Sequence, residues 1–295
     1  MRAAVTREAT VDLPSLGGDG AAWSAAWRWW TDRPAIGVAF AAPGFARAGG
    51  IWRVDAGWER ETFAFGAAAP TQTNTRVHGG ISVSDWISGR VKFSVAGGVD
   101  AWTGDARTAS LGGSLERRWL DDRLTAVVGG ERAVGLVSAA GYHTVAARSS
   151  WRSTTTTGAW SVRADAGIRS VGADAPLMLW PRASETTTPL LRAHPLLDGG
   201  IVNVNGGAVF GRTVTYATAE AQRWLDRPIL PRVAAAAFID AGRAARTAPG
   251  TTPRSQVDIG GGLRIRVPGA PGLLRVDAAR GLLDGGEAVT VGWQF

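Results

Sequence analysis

The sequence of 295 residues contains no cysteine and a single lysine, Lys92. The lack of cysteine excludes a disulfide framework, a thiolate metal site and a cysteine nucleophile. Long apolar runs are also missing, because the longest uncharged run lies around residues 233–239 and a membrane-spanning helix needs ~18 residues. If the chain crosses a membrane, it must therefore cross it with strands.

The first residues do not read as a secretory signal peptide. Glu8 and Asp12 fall where such a peptide needs an unbroken apolar core. We therefore expect either that the chain is not exported or that its natural N-terminus lies upstream of Met1.

The positive charge of the chain is carried by scattered arginines. The net charge is +7, and the arginines alternate with apolar residues near acids, as in residues 53–55 and 275–280. A nucleic-acid-binding protein would concentrate its basic residues in a run or on one face. The pattern favours a charged, hydrated lumen and predicts no nucleic-acid partner.

Strand-like segments follow one another between Gly, Pro, Asp and Asn turns, without a helical period. In residues 255–267, one face carries branched aliphatic residues and the other carries Asp258, Arg264 and Arg266. This combination is typical of a transmembrane β-barrel strand. We predict fifteen strands, at residues 2–12, 21–30, 35–43, 51–65, 73–87, 89–102, 106–119, 123–134, 141–153, 157–170, 212–225, 231–243, 255–267, 273–283 and 287–295.

The predicted connections alternate between short and long. If the C-terminus faces the periplasm, connections 226–230 and 268–272 are periplasmic, whereas 171–211 and 244–254 are external. Short periplasmic turns and long external loops are typical of outer-membrane barrels. The same parity makes strand 2–12 run inward, so an even-stranded barrel would have one further strand.

One short pattern, a Trp followed by Asp and Arg, recurs at residues 28–34, 117–123 and 222–228. A Trp at a strand end beside a tight turn is typical of the aromatic belt at a membrane surface. The parity places the first copy on the side opposite to the other two. Either the first copy is accidental or the strand count between residues 35 and 105 is wrong.

The C-terminal strand alternates strictly. Val289, Val291, Trp293 and Phe295 share one face, and small or polar residues share the other. A soluble sandwich would bury the apolar face against a second sheet, whereas an outer-membrane barrel would turn it to lipid. This strand alone does not decide between the two.

Five elements follow in order from residue 189 to the C-terminus. They are Pro-Leu-Leu-Arg-Ala-His-Pro at 189–195, a strand with Glu220, Phe-Ile-Asp-Ala-Gly at 238–242, a glycine-rich stretch at 257–282 and the aromatic terminus. Their succession resembles the C-terminal half of the BamA/TamA superfamily, the bacterial surface antigen family. The family's Arg-Gly-aromatic loop motif reads Arg-Ala-His here, at residues 192–194. The first 170 residues match only in general strand character.

The resemblance implies an all-β fold. The expected architecture is a transmembrane antiparallel up-and-down β-barrel of about 16 strands, with a long infolded extracellular loop and a single domain over residues 1–295. It implies that Arg192 pairs with Asp240 and Glu220 in the lumen, with His194 and Gly242 beside them. An unpaired charge there would be costly. The alternative is that Arg192 is a solvated loop residue.

The resemblance also implies a role at the bacterial outer membrane. Family members insert or export other proteins and perform no covalent chemistry, so no enzyme activity, cofactor or metal is expected. The expected partners are outer-membrane lipid, client outer-membrane or secreted proteins, and the barrel-assembly machinery. That machinery would recognise the C-terminal signal formed by Val289, Val291, Trp293 and Phe295.

Specific residues also bear on other functional classes. His78 shares a strand face with Asn74 and Ser82, a residue set that suggests an outer-membrane lipase. That triad would have to face lipid, whereas the apolar residues of this strand occupy the opposite face, which argues against catalysis. His143 and His194 stand alone, which leaves little for a metal site. A passive porin and a soluble all-β binding protein remain alternatives.

Overall fold

The computed structural model describes most of the chain. The residues that it describes are 2–5, 7–14, 20–44, 49–66, 70–153, 160–183, 190–196, 198–204, 209–225, 232–246, 254–266, 268 and 272–294. Among them, no helix is both long and apolar enough to cross a membrane.

The structure is built almost entirely from strands. Two short 3-10 turns, Leu177–Leu179 and Asp198–Gly200, lie in the connection before β13. The strands are β1 (Arg2–Val5), β2 (Glu8–Pro14), β3 (Ala22–Trp30), β4 (Arg33–Pro43), β5 (Ile51–Ala64), β6 (Thr71–Ser88), β7 (Val91–Trp102), β8 (Arg107–Trp119), β9 (Leu124–Val137), β10 (Tyr142–Arg152), β11 (Trp160–Val171), β12 (Val202–Asn203), β13 (Thr213–Trp224), β14 (Arg232–Ala245), β15 (Ser255–Arg266), β16 (Leu273–Gly281) and β17 (Glu287–Gln294).

Within the described residues, these strands form one sheet in up-and-down order. From β2 to β17 each strand pairs in antiparallel fashion with the next, except that β11 pairs directly with β13. β12 stands apart, because its two residues pair in parallel with β5. The fifteen predicted strands agree with this order, although the first is divided into β1 and β2.

The two edges of this ladder meet through a short pairing. β1 pairs in parallel with β17 over four residues, from Arg2 opposite Ala288 to Val5 opposite Val291. β2 and β17 share no ladder among the described residues, so the sheet is not closed by a continuous antiparallel ladder. We call this junction the seam. The parallel pairing agrees with the prediction that the first strand runs in the same direction as the last.

The recurring Trp-Asp-Arg pattern is resolved by the strand order. The turn at Thr31 and Asp32 joins β3 to β4, whereas the turn at residues 120–123 joins β8 to β9. In an up-and-down sheet these two turns lie at opposite ends of the strands. The predicted strand count between residues 35 and 105 is therefore confirmed, and the first copy of the pattern lies at the strand ends opposite to the second.

The two faces of the sheet differ in chemistry. The inner face is the one that the connection between β11 and β13 packs on; in β14 it carries the buried side chains of Phe238 and Asp240. The outer face carries large apolar side chains that are more than half exposed, such as Trp27, Leu111 and Val128. A soluble monomer seldom exposes so much apolar surface.

The last strand follows the same alternation. Ala288 and Thr290 are buried on the inner face, and Val289, Val291 and Trp293 lie on the outer face. Phe295, the last residue of the predicted C-terminal signal, lies outside the described residues.

Four neighbouring strands, β6 to β9, each carry a Gly-Gly pair. Gly80 lies opposite Gly98, and Gly113 lies opposite Gly130. A Cβ atom at Gly112 would lie only 2.8 Å from the carbonyl oxygen of Gly130. The strands therefore approach more closely here than an ordinary side chain allows.

The parallel register at the seam predicts one specific cross-link. Ala4 and Thr290 are directly opposite, so Ala4→Cys with Thr290→Cys should form a disulfide on mild oxidation, because bridged cysteines need Cα atoms within ~7 Å. The matched control, Ala4→Cys with Ala288→Cys, is two residues out of register and should cross-link far less. Mass spectrometry of non-reduced peptides measures both. Equal yields would contradict the register.

Candidate functional site

The connection from β11 to β13, residues 172–212, packs its apolar side chains on the inner face. Leu191 is completely buried beside Val214 of β13 and Ala244 of β14. Met178 and Leu196 are buried in a second cluster with Phe63 of β5. The apolar residues of this predicted connection therefore do pack on the sheet, as their composition indicates. Leu197 lies outside the described residues.

Arg192 is the central charged residue of the connection. Its guanidinium donates to both carboxylate oxygens of Asp240, at 2.8 and 2.9 Å, and to Glu220 at 2.6 Å. A third carboxylate, that of Asp277, lies 3.5 Å away. The guanidinium carbon stands 3.5 Å from the ring centroid of Phe238, an arrangement that adds a cation-π attraction. We call Arg192 with these carboxylates the Arg192 anchor.

The carboxylates around Arg192 belong to a row that crosses four consecutive strands. Glu220 lies on β13, Asp240 on β14, Asp258 on β15 and Asp277 on β16. Asp240 and Asp258 are directly opposite one another in the ladder, and like charges in such positions repel. The residues from 192 to 194 supply the partners of both, so the connection compensates an intrinsically unfavourable pairing.

Two arginines of the sheet complete the network. Arg264 of β15 donates to Glu220 at 2.7 and 3.0 Å and to Asp277 at 2.6 Å, and it is completely buried. Arg275 of β16 lies 3.0 Å from Asp277. Arg264 and Arg275 are also directly opposite in the ladder. Asp277 contacts both of these arginines and so compensates their repulsion.

His194 joins the connection to the turn before β17. One ring nitrogen lies 3.1 Å from Asp258 Oδ2, and the other lies 2.8 Å from Asp284. The Ala193 N–H donates to Asp258 at 2.7 Å. Burial lowers the pKa of His194, but the hydrogen bonds to Asp258 and Asp284 outweigh it, so that the pKa is raised above its usual value. Both ring nitrogens donate when the ring is charged.

The predicted site residues differ in how closely they meet. Arg192, Glu220 and Asp240 are in direct contact. Gly242 contacts the connection less tightly, because a Cβ there would lie at an ordinary 3.5 Å from Leu191. At Gly262, by contrast, a Cβ would lie 2.1 Å from Asp277 Oδ1.

Sequence reasoning missed the roles of several site residues. The sequence shows each of them as a charged or small residue, but the partner of each residue depends on strand register and on the path of the connection. These residues are Asp258, Gly262, Arg264, Arg275, Asp277 and Asp284.

The histidine considered for catalysis lies elsewhere on the inner face. His78 of β6 contacts Asp55 through Nε2 and lies 3.7 Å from Asp100 through Nδ1. No hydrogen bond between His78 and a serine is present among the described residues. Among all the residues that the structure describes, no group of three or more His, Asp or Glu side chains could hold a metal ion.

Neither protein-family profiles nor curated proteins give a match to the sequence. Solved structures do match. BamA from Haemophilus ducreyi lacking POTRA domains 1-3 gives a TM-score of 0.66 at 13% identity, over 96% of this chain and 65% of that one. CdiB from Acinetobacter baumannii gives 0.59 at 14% identity, and CdiB from Escherichia coli gives 0.63 at 12%, each over 97% of this chain and 58% of theirs.

These likenesses show that the chain has the fold of the BamA and CdiB barrels. The chain spans about three-fifths of the length of those proteins. At such low identity the likeness concerns the fold alone. In such a barrel the inner face surrounds a space called the lumen.

Replacing Arg192 with Ala should strongly destabilise the folded chain. The change leaves Asp240, Glu220 and Asp277 short of a buried partner, and breaking a buried ion pair costs about 3–5 kcal/mol. Urea unfolding in detergent, followed by tryptophan fluorescence and heat-modifiable migration, measures the loss. Arg163→Ala is the matched control, because its half-exposed pair with Asp165 should contribute at most about 1 kcal/mol. Equal losses would contradict the assignment.

The contacts of His194 predict a pH-dependent stability. Because its pKa is raised on folding from 6.5, its contribution is fully present below pH 6.5 and is lost as the pH rises through the folded pKa. The free energy of unfolding of the wild type should therefore fall between neutral and mildly alkaline pH relative to His194→Gln. His143→Gln, an exposed histidine, should retain the wild-type slope. A slope unchanged by His194→Gln would refute this coupling.

Proposed function

We propose that residues 1–295 form a single outer-membrane β-barrel domain of the BamA/TamA type, which assists the insertion or translocation of proteins at the outer membrane. The observation that carries this proposal is the contact of Arg192 with Glu220 and Asp240. Those three residues occupy the positions at which the five C-terminal elements resemble that family. The shared fold with BamA and CdiB supports the same conclusion over nearly the whole chain.

The chemistry of the two faces supports a membrane location. Exposed side chains such as Leu111 and Val128 on the outer face suit contact with outer-membrane lipid. The charged inner face suits a hydrated lumen. Val289, Val291, Trp293 and Phe295 would then form the C-terminal signal that the barrel-assembly machinery reads during insertion of the barrel itself.

On this proposal the working part of the barrel is the seam. The β1–β17 ladder has four residue pairs, whereas the β13–β14 ladder has twelve. An edge strand with free N–H and C=O groups can accept an added strand by β-augmentation. A client strand would pair with the edge of β17 after the short β1 pairing is broken. This step forms and breaks hydrogen bonds only, so neither an enzyme activity nor a cofactor is required.

The Arg192 anchor would organise the wall beside the seam. It joins β13, β14 and β16, and His194 extends the contact to Asp284 in the turn before β17. The strands that precede β17 are thereby held in one arrangement while β17 exchanges partners. Arg192, His194, Glu220, Asp240 and Gly242 are positioning residues on this proposal.

A passive porin is less well supported. A porin needs an unobstructed lumen, whereas the connection from β11 to β13, which we propose to be an infolded extracellular loop, contacts the inner face at β5 and at β13–β16. A soluble binding protein is disfavoured by the exposed apolar outer face.

The proposed function predicts that the seam must open for activity. In liposomes, the wild type should accelerate the folding or translocation of a urea-denatured client compared with empty liposomes. The oxidised Ala4→Cys, Thr290→Cys variant should lose this acceleration, because its seam is covalently closed, and reduction should restore it. Client heat-modifiability and protease protection are the measurements. Undiminished activity in the oxidised variant, or none in the wild type, would sink the proposal.

A further inference from the structure

A second charged cluster fastens the connection on the other side of the seam. Arg182 donates to both oxygens of Glu61, at 2.6 and 2.9 Å, and Arg33 donates to the same carboxylate at 2.7 Å. All three residues are buried, and Glu61 is only 1% exposed. We call Arg33, Glu61 and Arg182 the Glu61 cluster. Arg33 belongs to β4 and Glu61 to β5, so only Arg182 comes from the connection.

Backbone and apolar contacts surround this cluster. The two residues of β12, Val202 and Asn203, pair in parallel with Phe63 and Ala64 at the end of β5. The N–H of Asp32, in the turn before β4, donates to the carbonyl of Gly199 at 3.0 Å. Phe63 packs with five apolar residues of the connection, namely Met178, Leu196, Val202, Val204 and Phe210. The connection therefore has an extended interface on β4 and β5.

The two fastening points lie on opposite sides of the seam. The Glu61 cluster is on β4 and β5, which follow the β2 edge, and the Arg192 anchor is on β13 to β16, which precede the β17 edge. The connection therefore bridges the seam from the inner side. The direct β1–β17 ladder has only four residue pairs, so this bridge is a second means of holding the two sides together.

The charges decide which of the two fastenings is easier to release. Withdrawal of Arg182 leaves Glu61 paired with Arg33, which is a neutral pair. Withdrawal of Arg192 removes the cationic partner of Asp240, since Arg264 and Arg275 contact Glu220 and Asp277. A buried charge without a partner costs several kcal/mol. The electrostatic cost of release is therefore smaller at Arg182 than at Arg192.

We propose that the Glu61 cluster is the releasable lock of the connection and that the Arg192 anchor is its fixed point. With the lock closed, the connection bridges the seam and obstructs the lumen. When Arg182 leaves Glu61 and the β12 pairing and the Phe63 contacts are broken with it, the connection separates from β4 and β5 but stays attached to β13 to β16, and both the lumen and the seam become free to open. The inference rests on the barrel and seam of the proposed function and assigns the residues that control them.

Ion conductance across planar lipid bilayers tests the lock without any client. Arg182→Gln should raise the probability of the open state about tenfold, the factor that corresponds to about 1.4 kcal/mol, because the two charge-assisted hydrogen bonds from Arg182 to Glu61 are lost. Arg148→Gln is the matched control, since Arg148 pairs with Asp165 within the wall and should leave the open probability at the wild-type value. Folded protein with no rise in Arg182→Gln would overturn the proposal.

A reversible cross-link tests the lock even if Arg182→Gln does not fold. Ala64 and Asn203 are directly opposite in a chain without cysteine, so Ala64→Cys with Asn203→Cys can be oxidised to fix the connection on β5. The oxidised protein should show fewer openings than the same protein after reduction, and each single variant should be insensitive to oxidant. Identical conductance in both redox states would overturn the lock.

Conductance and client activity separate the two proposals. If the openings respond to Arg182→Gln and to the cross-link, but the barrel never accelerates the folding or translocation of a client, the lock is supported and the proposed function is contradicted. If the barrel accelerates a client equally well in both redox states of the cross-link, and its conductance is also the same in both, the proposed function is supported and the lock is contradicted.

Discussion

The burial of carboxylates on adjacent strands is the constraint on which the rest of the structure depends. Asp240, Asp258 and Asp277 are almost inaccessible to solvent on the inner face, and Asp240 faces Asp258 directly across the ladder. Such a wall is unstable unless cations reach it. Arg264 and Arg275 come from the wall itself, but Asp240 depends on Arg192. The long connection is thus a part of the fold that the sheet requires, rather than an addition to a finished barrel.

The strand order was predictable because its signals are local. Alternation of period two and turn-forming residues define each strand within a dozen positions, and the bounds of β13 to β17 agree with the expectation to within a few residues. The junctions were harder to predict. The division of the first strand, its parallel pairing with β17 and the two-residue β12 depend on how distant segments meet. The periodicity within one strand carries no information about such contacts between distant segments.

The candidate site divides in the same way. Arg192, Glu220 and Asp240 could be named together only because the order of five elements resembled a family, since residue types alone do not specify partners. The contact of Arg182 with Glu61 joins residues 121 positions apart and had no such guide. Asp258 and Arg264 were visible as charges on one strand face, but their partners follow from register and from the path of the connection.

The glycine pairs of β6 to β9 have a mechanical consequence. Side chains stiffen a sheet by packing on its faces, and the positions where Gly80 lies opposite Gly98 and Gly113 lies opposite Gly130 contribute no side chain to that packing. The wall is therefore uneven in its side-chain packing, because buried ion pairs link each of the strands β13 to β16, whereas the paired glycines of β6 to β9 carry no side chains. A lateral load on the sheet is therefore expected to bend it first at these glycine positions, where the fewest side chains resist a change of curvature.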